Sequence, residues 1–126
     1  MFLYTDLQAR VASAGPVRVG LIGAGKFGSM FLSQVTTTDG LEVNAIADLD
    51  PAAAIATCIS VGWSKEQIDQ TLFTDDAQEI INKNTIDVIV EATGNPAAGI
   101  YHARLSIDNG VPVSYTQLTL PTNREV

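Results

Sequence analysis

Short, largely apolar runs alternate along this chain with stretches in which apolar residues recur at helical spacing. Val17, Val19, Leu21 and Ile22 form a near-continuous apolar run, as expected of a parallel strand covered on both faces. Phe27, Met30, Phe31 and Val35 then draw one face of a helix lying on the sheet. Thr36 to Gly40 is turn-forming, and Leu41 to Ala47 reads as the next strand, ending at Asp48. Asp50-Pro51 predicts a capped helix start running to about Val61, closed by Gly62. Ser64 to Gln67 has the capping-box pattern, Thr71 to Thr74 a brief strand, and Asp75 to Asn82 a helix burying Ala77, Ile80 and Ile81. Asp87 to Ala92 is the second strong buried strand; a helix from about Ala97 to Asp108, stopped by Gly110, follows it. Val111 to Val113 begins another strand, in which Pro112 is tolerable so close to the start. At the beginning of the chain, Leu3, Leu7 and Val11 predict a short amphipathic helix.

This alternation predicts right-handed crossovers and an α/β fold, a doubly wound parallel sheet ordered 3-2-1-4-5. Ligands of such sheets bind beyond the carboxyl ends of strands one and four, where the order reverses. Gly23-Ala-Gly25-Lys26-Phe27-Gly28 falls at that point and has the form G-x-G-x-x-G. Gly23 would permit the tight turn, Gly25 the close approach of backbone to a pyrophosphate, and Gly28 the packing of helix on strand. Asp48 lies 25 residues after Gly23, close to the roughly 20 expected for the acid that accepts from the adenosine ribose hydroxyls. The motif alone is weak, but strand, glycine turn, helix, strand and acid in order predict a Rossmann dinucleotide site. The competing reading is a glycine turn that only packs helix on strand, or holds another phosphate-bearing ligand. Lys26 either approaches a phosphate or is simply solvated, and Phe27 joins the candidate contacts. Expected limits are 1–15 for the N-terminal helix, 16–113 for the dinucleotide domain and 114–126 for an atypical tail.

A net charge of -7 argues against nucleic acid or an anionic membrane as partner. It leaves a dinucleotide open, since backbone N–H groups at a helix end hold phosphate without a basic patch. No apolar run approaches the roughly 18 residues of a membrane span, and the start lacks a basic signal-peptide region, so a cytoplasmic location is expected. The single cysteine, Cys58, sits in an apolar stretch and reads as core. Neither H-x-x-x-H nor C-x-x-C occurs, so no metal site is proposed. Glu91, odd in an apolar strand, either hydrogen-bonds near the nicotinamide end or caps neighbouring backbone. His102, the only histidine, falls on a helix with no evident carboxylate or cysteine partner, which argues against catalysis. Trp63 reads as core or docking surface.

From Arg18 to about Val113 the chain resembles the NAD(P)-binding domain of the homoserine dehydrogenase-like oxidoreductases, and more distantly the glucose-fructose oxidoreductase and inositol dehydrogenase family. The residues that carry it are Val19-Gly-Leu-Ile-Gly-Ala-Gly-Lys-Phe-Gly-Ser-Met30, Ala45-Ile-Ala-Asp-Leu-Asp-Pro51 and Val88-Ile-Val-Glu-Ala-Thr-Gly-Asn-Pro96. The resemblance implies that Thr93, Gly94 and Asn95 lie beside the nicotinamide ribose, that NAD is the cofactor with NADP as the other possibility, and that hydride moves to or from a small hydroxy or oxo substrate. Such proteins carry the substrate pocket and an acid-base lysine in a second domain. In the sugar-oxidising relatives the fifth strand runs into Glu-Lys-Pro, whereas here Val113 is followed by Ser114-Tyr-Thr-Gln, and no lysine follows Lys83. The chain therefore reads as a truncated frame with a non-native tail, open to self-association as a homo-oligomer and carrying no assignable catalytic residue. A non-catalytic Rossmann module that senses redox state or binds a nucleotide is the second reading.

Overall fold

The computed structural model describes residues 15–82 and 84–115. The expected N-terminal helix and the tail from residue 116 onward lie outside the described residues. Five strands, β1 (Val17–Ile22), β2 (Leu41–Ala47), β3 (Leu72–Thr74), β4 (Val88–Glu91) and β5 (Val113–Tyr115), form one sheet in the order β3-β2-β1-β4-β5. Every pairing is parallel, as predicted. The helices are α1 (Lys26–Val35), α2 (Pro51–Ser60), α3 (Lys65–Asp69), α4 (Ala77–Ile80) and α5 (Pro96–Asp108). No helix among the described residues is long and apolar enough to cross a membrane.

The apolar runs fill two layers, one on each face of the sheet. Val19 and Leu21 of β1 pack with Leu32, Val35, Ala54, Cys58, Trp63 and Val90. Ile22 packs on the other side with Ile80, Ile86, Ile89 and Val111. In β2 the alternation breaks, because Val43 and Ile46 belong to the first layer while Ala45 and Ala47 belong to the second. The register steps from Val19↔Val43 to Gly20↔Ala45, so Asn44 is an extra residue that reverses the facing of everything after it. Trp63 is core, its Nε1–H donating to the Leu32 carbonyl at 3.1 Å. Cys58 is fully buried, and burial pushes its thiol up to about 11. Asp50 caps α2 from Pro51 at its first position, and the Ser64–Gln67 capping box is present at α3.

Three expectations need correction. The buried face of α1 is Gly28, Leu32 and Val35, with Phe31 partly buried, whereas Phe27 and Met30 are 38% and 55% exposed. Gly28 lies so close to β1 that it fixes the helix rotation, and at about 100° per residue Phe27 and Met30 turn outward. The helix expected over Asp75 to Asn82 is the single turn of α4, although Ile80 and Ile81 are buried as predicted. Asn82 ends it by accepting the Asn84 N–H on its own side chain, offering the backbone an alternative to the helix. Finally, β5 starts at Val113 and not at Val111. Pro112 has no N–H to give, and its carbonyl instead accepts the Ile89 N–H, so Ser114 and Tyr115 take the ladder positions opposite Val90 and Glu91.

Candidate functional site

The glycine turn and the turn after β4 meet at the carboxyl ends of β1 and β4, where they border a cleft of about 500 Å³. That is within the range of small-molecule sites. Gly23 has φ +95°, and a Cβ there would stand 2.9 Å from the Thr93 nitrogen. At Gly28 a Cβ would come within 2.0 Å of the Gly23 carbonyl oxygen, so only glycine lets α1 lie this close to β1. Gly25 differs from both: a Cβ would meet nothing within 4 Å. The space above it is open to a ligand.

Gly25 also begins α1, and no side chain caps that helix. Every other described helix is capped by a side chain, from Asp50, Ser64, Asp76 and Asn95. The first N–H groups of α1 are therefore left for an anion, with the helix dipole adding to their pull. Lys26 is exposed and lines the cleft beside Gly25.

Asp48 forms the other end. Its Oδ1 accepts the Ala24 N–H at 2.9 Å and its Oδ2 accepts the Asp50 N–H at 3.0 Å. The carboxylate thus pins the glycine turn to the end of β2, and each oxygen keeps a lone pair for a further donor. Helix capping falls to Asp50, which accepts from the Ala53 N–H. Leu49, Asp75 and Ala77 complete this end of the cleft.

At the opposite end, Glu91 is fully buried and its Oε1 accepts from both the N–H (3.0 Å) and the hydroxyl (2.8 Å) of Thr93. The Thr93 hydroxyl accepts the Asn95 N–H, Gly94 takes φ +74°, and the Asn95 side-chain Oδ1 caps α5 by accepting the Ala97 and Ala98 N–H groups. Of the candidate residues, Gly23, Gly25, Lys26, Asp48, Thr93 and Asn95 line the cleft. Gly28 and Gly94 shape its turns from outside the lining, and Phe27 stands exposed on α1. His102 corrects the expectation that it has no carboxylate partner: its Nδ1 lies 2.5 Å from Glu91 Oε2, and its ring lines the cleft. Among the described residues no cluster suits a metal ion.

Residues 17–114 match the GFO/IDH/MocA family, described as an oxidoreductase family with an NAD-binding Rossmann fold. The chain belongs to this family. As one of its NAD-binding domains, it is 34% identical over 79 residues to inositol 2-dehydrogenase 2 of Paenarthrobacter aurescens, covering 62% of this chain and 21% of that protein. The chain spans about a fifth of the length of the curated relative it matches. Among solved structures, myo-inositol dehydrogenase from Lactobacillus casei, in complex with NAD(H) and myo-inositol, superimposes with a TM-score of 0.67 at 22% identity, over 79% of this chain and 28% of that one. A homoserine dehydrogenase from Thiobacillus denitrificans gives 0.62 at 22% identity, over 79% and 23%. At such identities the structures show the fold alone, and the family match falls on the inositol dehydrogenase side of the two resemblances read from the sequence.

In this GFO/IDH/MocA domain what sequence reasoning missed is the pairing of Glu91 with His102 across β4, the turn and α5; the reading of Glu91 as a cap for neighbouring backbone agrees with the Thr93 N–H that it accepts. Glu91 and His102 are 11 positions apart, a separation no helical or strand period predicts. The available signal was an acidic residue closing an apolar strand, which in a buried position demands a partner.

Proposed function

We propose that this chain is the cofactor-holding part of a dehydrogenase that moves hydride between NAD and a small hydroxy or oxo compound, of the polyol kind named for its curated relative. The observation that carries the assignment of the site is the open space above Gly25 at the one uncapped described helix. The pyrophosphate lies there on the N–H groups at the start of α1, between the turns shaped by Gly23 and Gly28, with Lys26 adding positive charge. Asp48 accepts from the adenosine ribose hydroxyls, and Thr93, Gly94 and Asn95 border the nicotinamide end. Bound NAD supplies the hydride acceptor. The chain's own residues bind and orient it, while substrate positioning belongs to the rest of a longer protein.

Calorimetric titration of the chain with NADH, NADPH and coenzyme A tests this reading. Saturable binding of NADH, tighter than NADPH and without comparable affinity for coenzyme A, is expected. Preference for coenzyme A would favour a nucleotide-binding module outside redox catalysis. For the substrate class, the longer protein should oxidise a polyol with NAD, and oxidation of homoserine in its place would overturn the polyol assignment.

A further inference from the structure

Glu91 ends β4 with no exposed surface, and both of its oxygens are engaged. Oε1 takes two donors from Thr93, and Oε2 lies 2.5 Å from His102 Nδ1. A buried carboxylate placed among donors acts as their acceptor, so Nδ1 carries the shared hydrogen and donates it to Oε2. In neutral imidazole that leaves the lone pair on Nε2. The His102 side chain is 13% exposed, and its ring contributes to the wall of the cleft alongside Asn95 and Ala98. Nε2 makes no hydrogen bond among the described residues. With the imidazole neutral, the arrangement thus presents one acceptor, of fixed tautomer and fixed orientation, at the end of the cleft away from Asp48. Glu91 also holds Thr93, so the same carboxylate sets the turn and the ring together.

We propose that His102 Nε2 accepts a hydrogen bond from the carboxamide amino group of the nicotinamide, with Glu91 as the positioning residue that fixes its tautomer. This rests on the dinucleotide reading above, in which the adenosine ribose at Asp48 and the pyrophosphate over Gly25 direct the nicotinamide to the β4–α5 end. The pair selects for a pyridine ring that carries a donor at its 3-position.

The test compares NAD+, 3-acetylpyridine adenine dinucleotide, in which a methyl group replaces the amino group, and ADP-ribose, which lacks the ring. Each is titrated calorimetrically into the full chain. One net hydrogen bond corresponds to roughly a three- to tenfold preference for NAD+ over the acetylpyridine analogue. In Glu91→Gln the side-chain amide donates to Nδ1, the imidazole hydrogen moves to Nε2, and both ligands offer it the same carbonyl, so the preference falls to about one. His102→Phe removes the nitrogen and also abolishes the preference. ADP-ribose should bind all three proteins within about twofold, which shows that the variants are folded and that the phosphate end is intact. Equal affinity of the wild-type chain for NAD+ and the analogue overturns the proposal whatever the variants do, as does a preference that persists in both variants. Failure of the wild-type chain to bind ADP-ribose is a different result: it removes the dinucleotide reading itself, and the His102 assignment with it.

Discussion

Replacing Gly25 and Gly28 separately should split ligand binding from folding, because the two glycines are constrained from opposite sides. Gly25 has a negative φ of -79° and free space where a Cβ would stand, so a side chain there meets no steric block. With ψ at -142°, outside the main β range, valine would also have to turn the backbone slightly, and with the lost capping preference the cost is on the order of 1–2 kcal/mol, or about 4–16 °C in Tm for a domain of this size. The valine side chain occupies the approach to the α1 N–H groups. A phosphate held by two charge-assisted hydrogen bonds of about 1.5–3 kcal/mol each would lose about 3–6 kcal/mol, or roughly two to four orders of magnitude in affinity. Gly28→Ala does the reverse. Its Cβ would sit 2.0 Å from a backbone oxygen, where real Cβ atoms almost never come within 3.0 Å, and no flexible side chain can yield. Forcing α1 away from β1 costs about 3 kcal/mol, the upper end for overpacking, and lowers Tm by about 12–24 °C. Calorimetric titration with NADH and thermal unfolding by circular dichroism read the two effects. Undiminished NADH affinity in folded Gly25→Val would refute the placement of the phosphates, and an unchanged Tm in Gly28→Ala would refute the packing argument.

Replacing Asp48 by Ser together with Leu49 by Arg should move preference from NADH toward NADPH by at least tenfold, as the carboxylate that repels a 2′-phosphate gives way to a cation; the ratio of the two dissociation constants measures it. Cys58 should resist thiol reagents at pH 8 until the protein unfolds, since burial holds its thiol up to about 11. The same elevation gives a signed pH effect. The unfolded thiol ionises near 8.5–9, so the native state holds the extra proton above that pH, and Cys58's contribution to stability falls from about pH 9 to about 11. Denaturant titrations of wild type and Cys58→Ala across this window should converge or cross accordingly, and parallel curves would refute the assignment. Trp63→Phe loses the bond to the Leu32 carbonyl and some packing, for about 1–2 kcal/mol, measurable as a lowered urea midpoint.

The fold was legible where a local signal has one physical solution. The β1 run followed by three glycines, the Asp50-Pro51 start and the Ser64–Gln67 box each dictate a conformation within a few residues, and each occurs as read. Signals that depend on contact between elements were not. Hydrophobicity alone placed Phe27 and Met30 inside, because nothing in their side chains reveals that the closest approach of α1 to the sheet is at Gly28. The extra residue at Asn44 escaped notice because Leu41, Val43 and Ala45 alternate with Glu42 and Asn44 as in a regular strand, and the apolar Ala45-Ile46-Ala47 that follows has no alternation in which a change of facing would show. At the site, the acid after β2 could be read from spacing, whereas the imidazole facing Glu91 required the strand, turn and helix to be folded together.

On the proposed placement of the phosphates, the dinucleotide is, in effect, the missing cap of α1, whose start carries no side-chain cap. The other described helices carry their caps in the sequence and are complete on folding. On that reading this one is completed by a diffusible molecule. Cofactor occupancy therefore becomes a component of conformational stability: a hundredfold excess over Kd contributes about 2.7 kcal/mol. An intramolecular substitute such as Gly25→Asp would stabilise the ligand-free domain and compete with the phosphates for the same donors. Selection for a robust empty fold and selection for a filled one pull this single position in opposite directions.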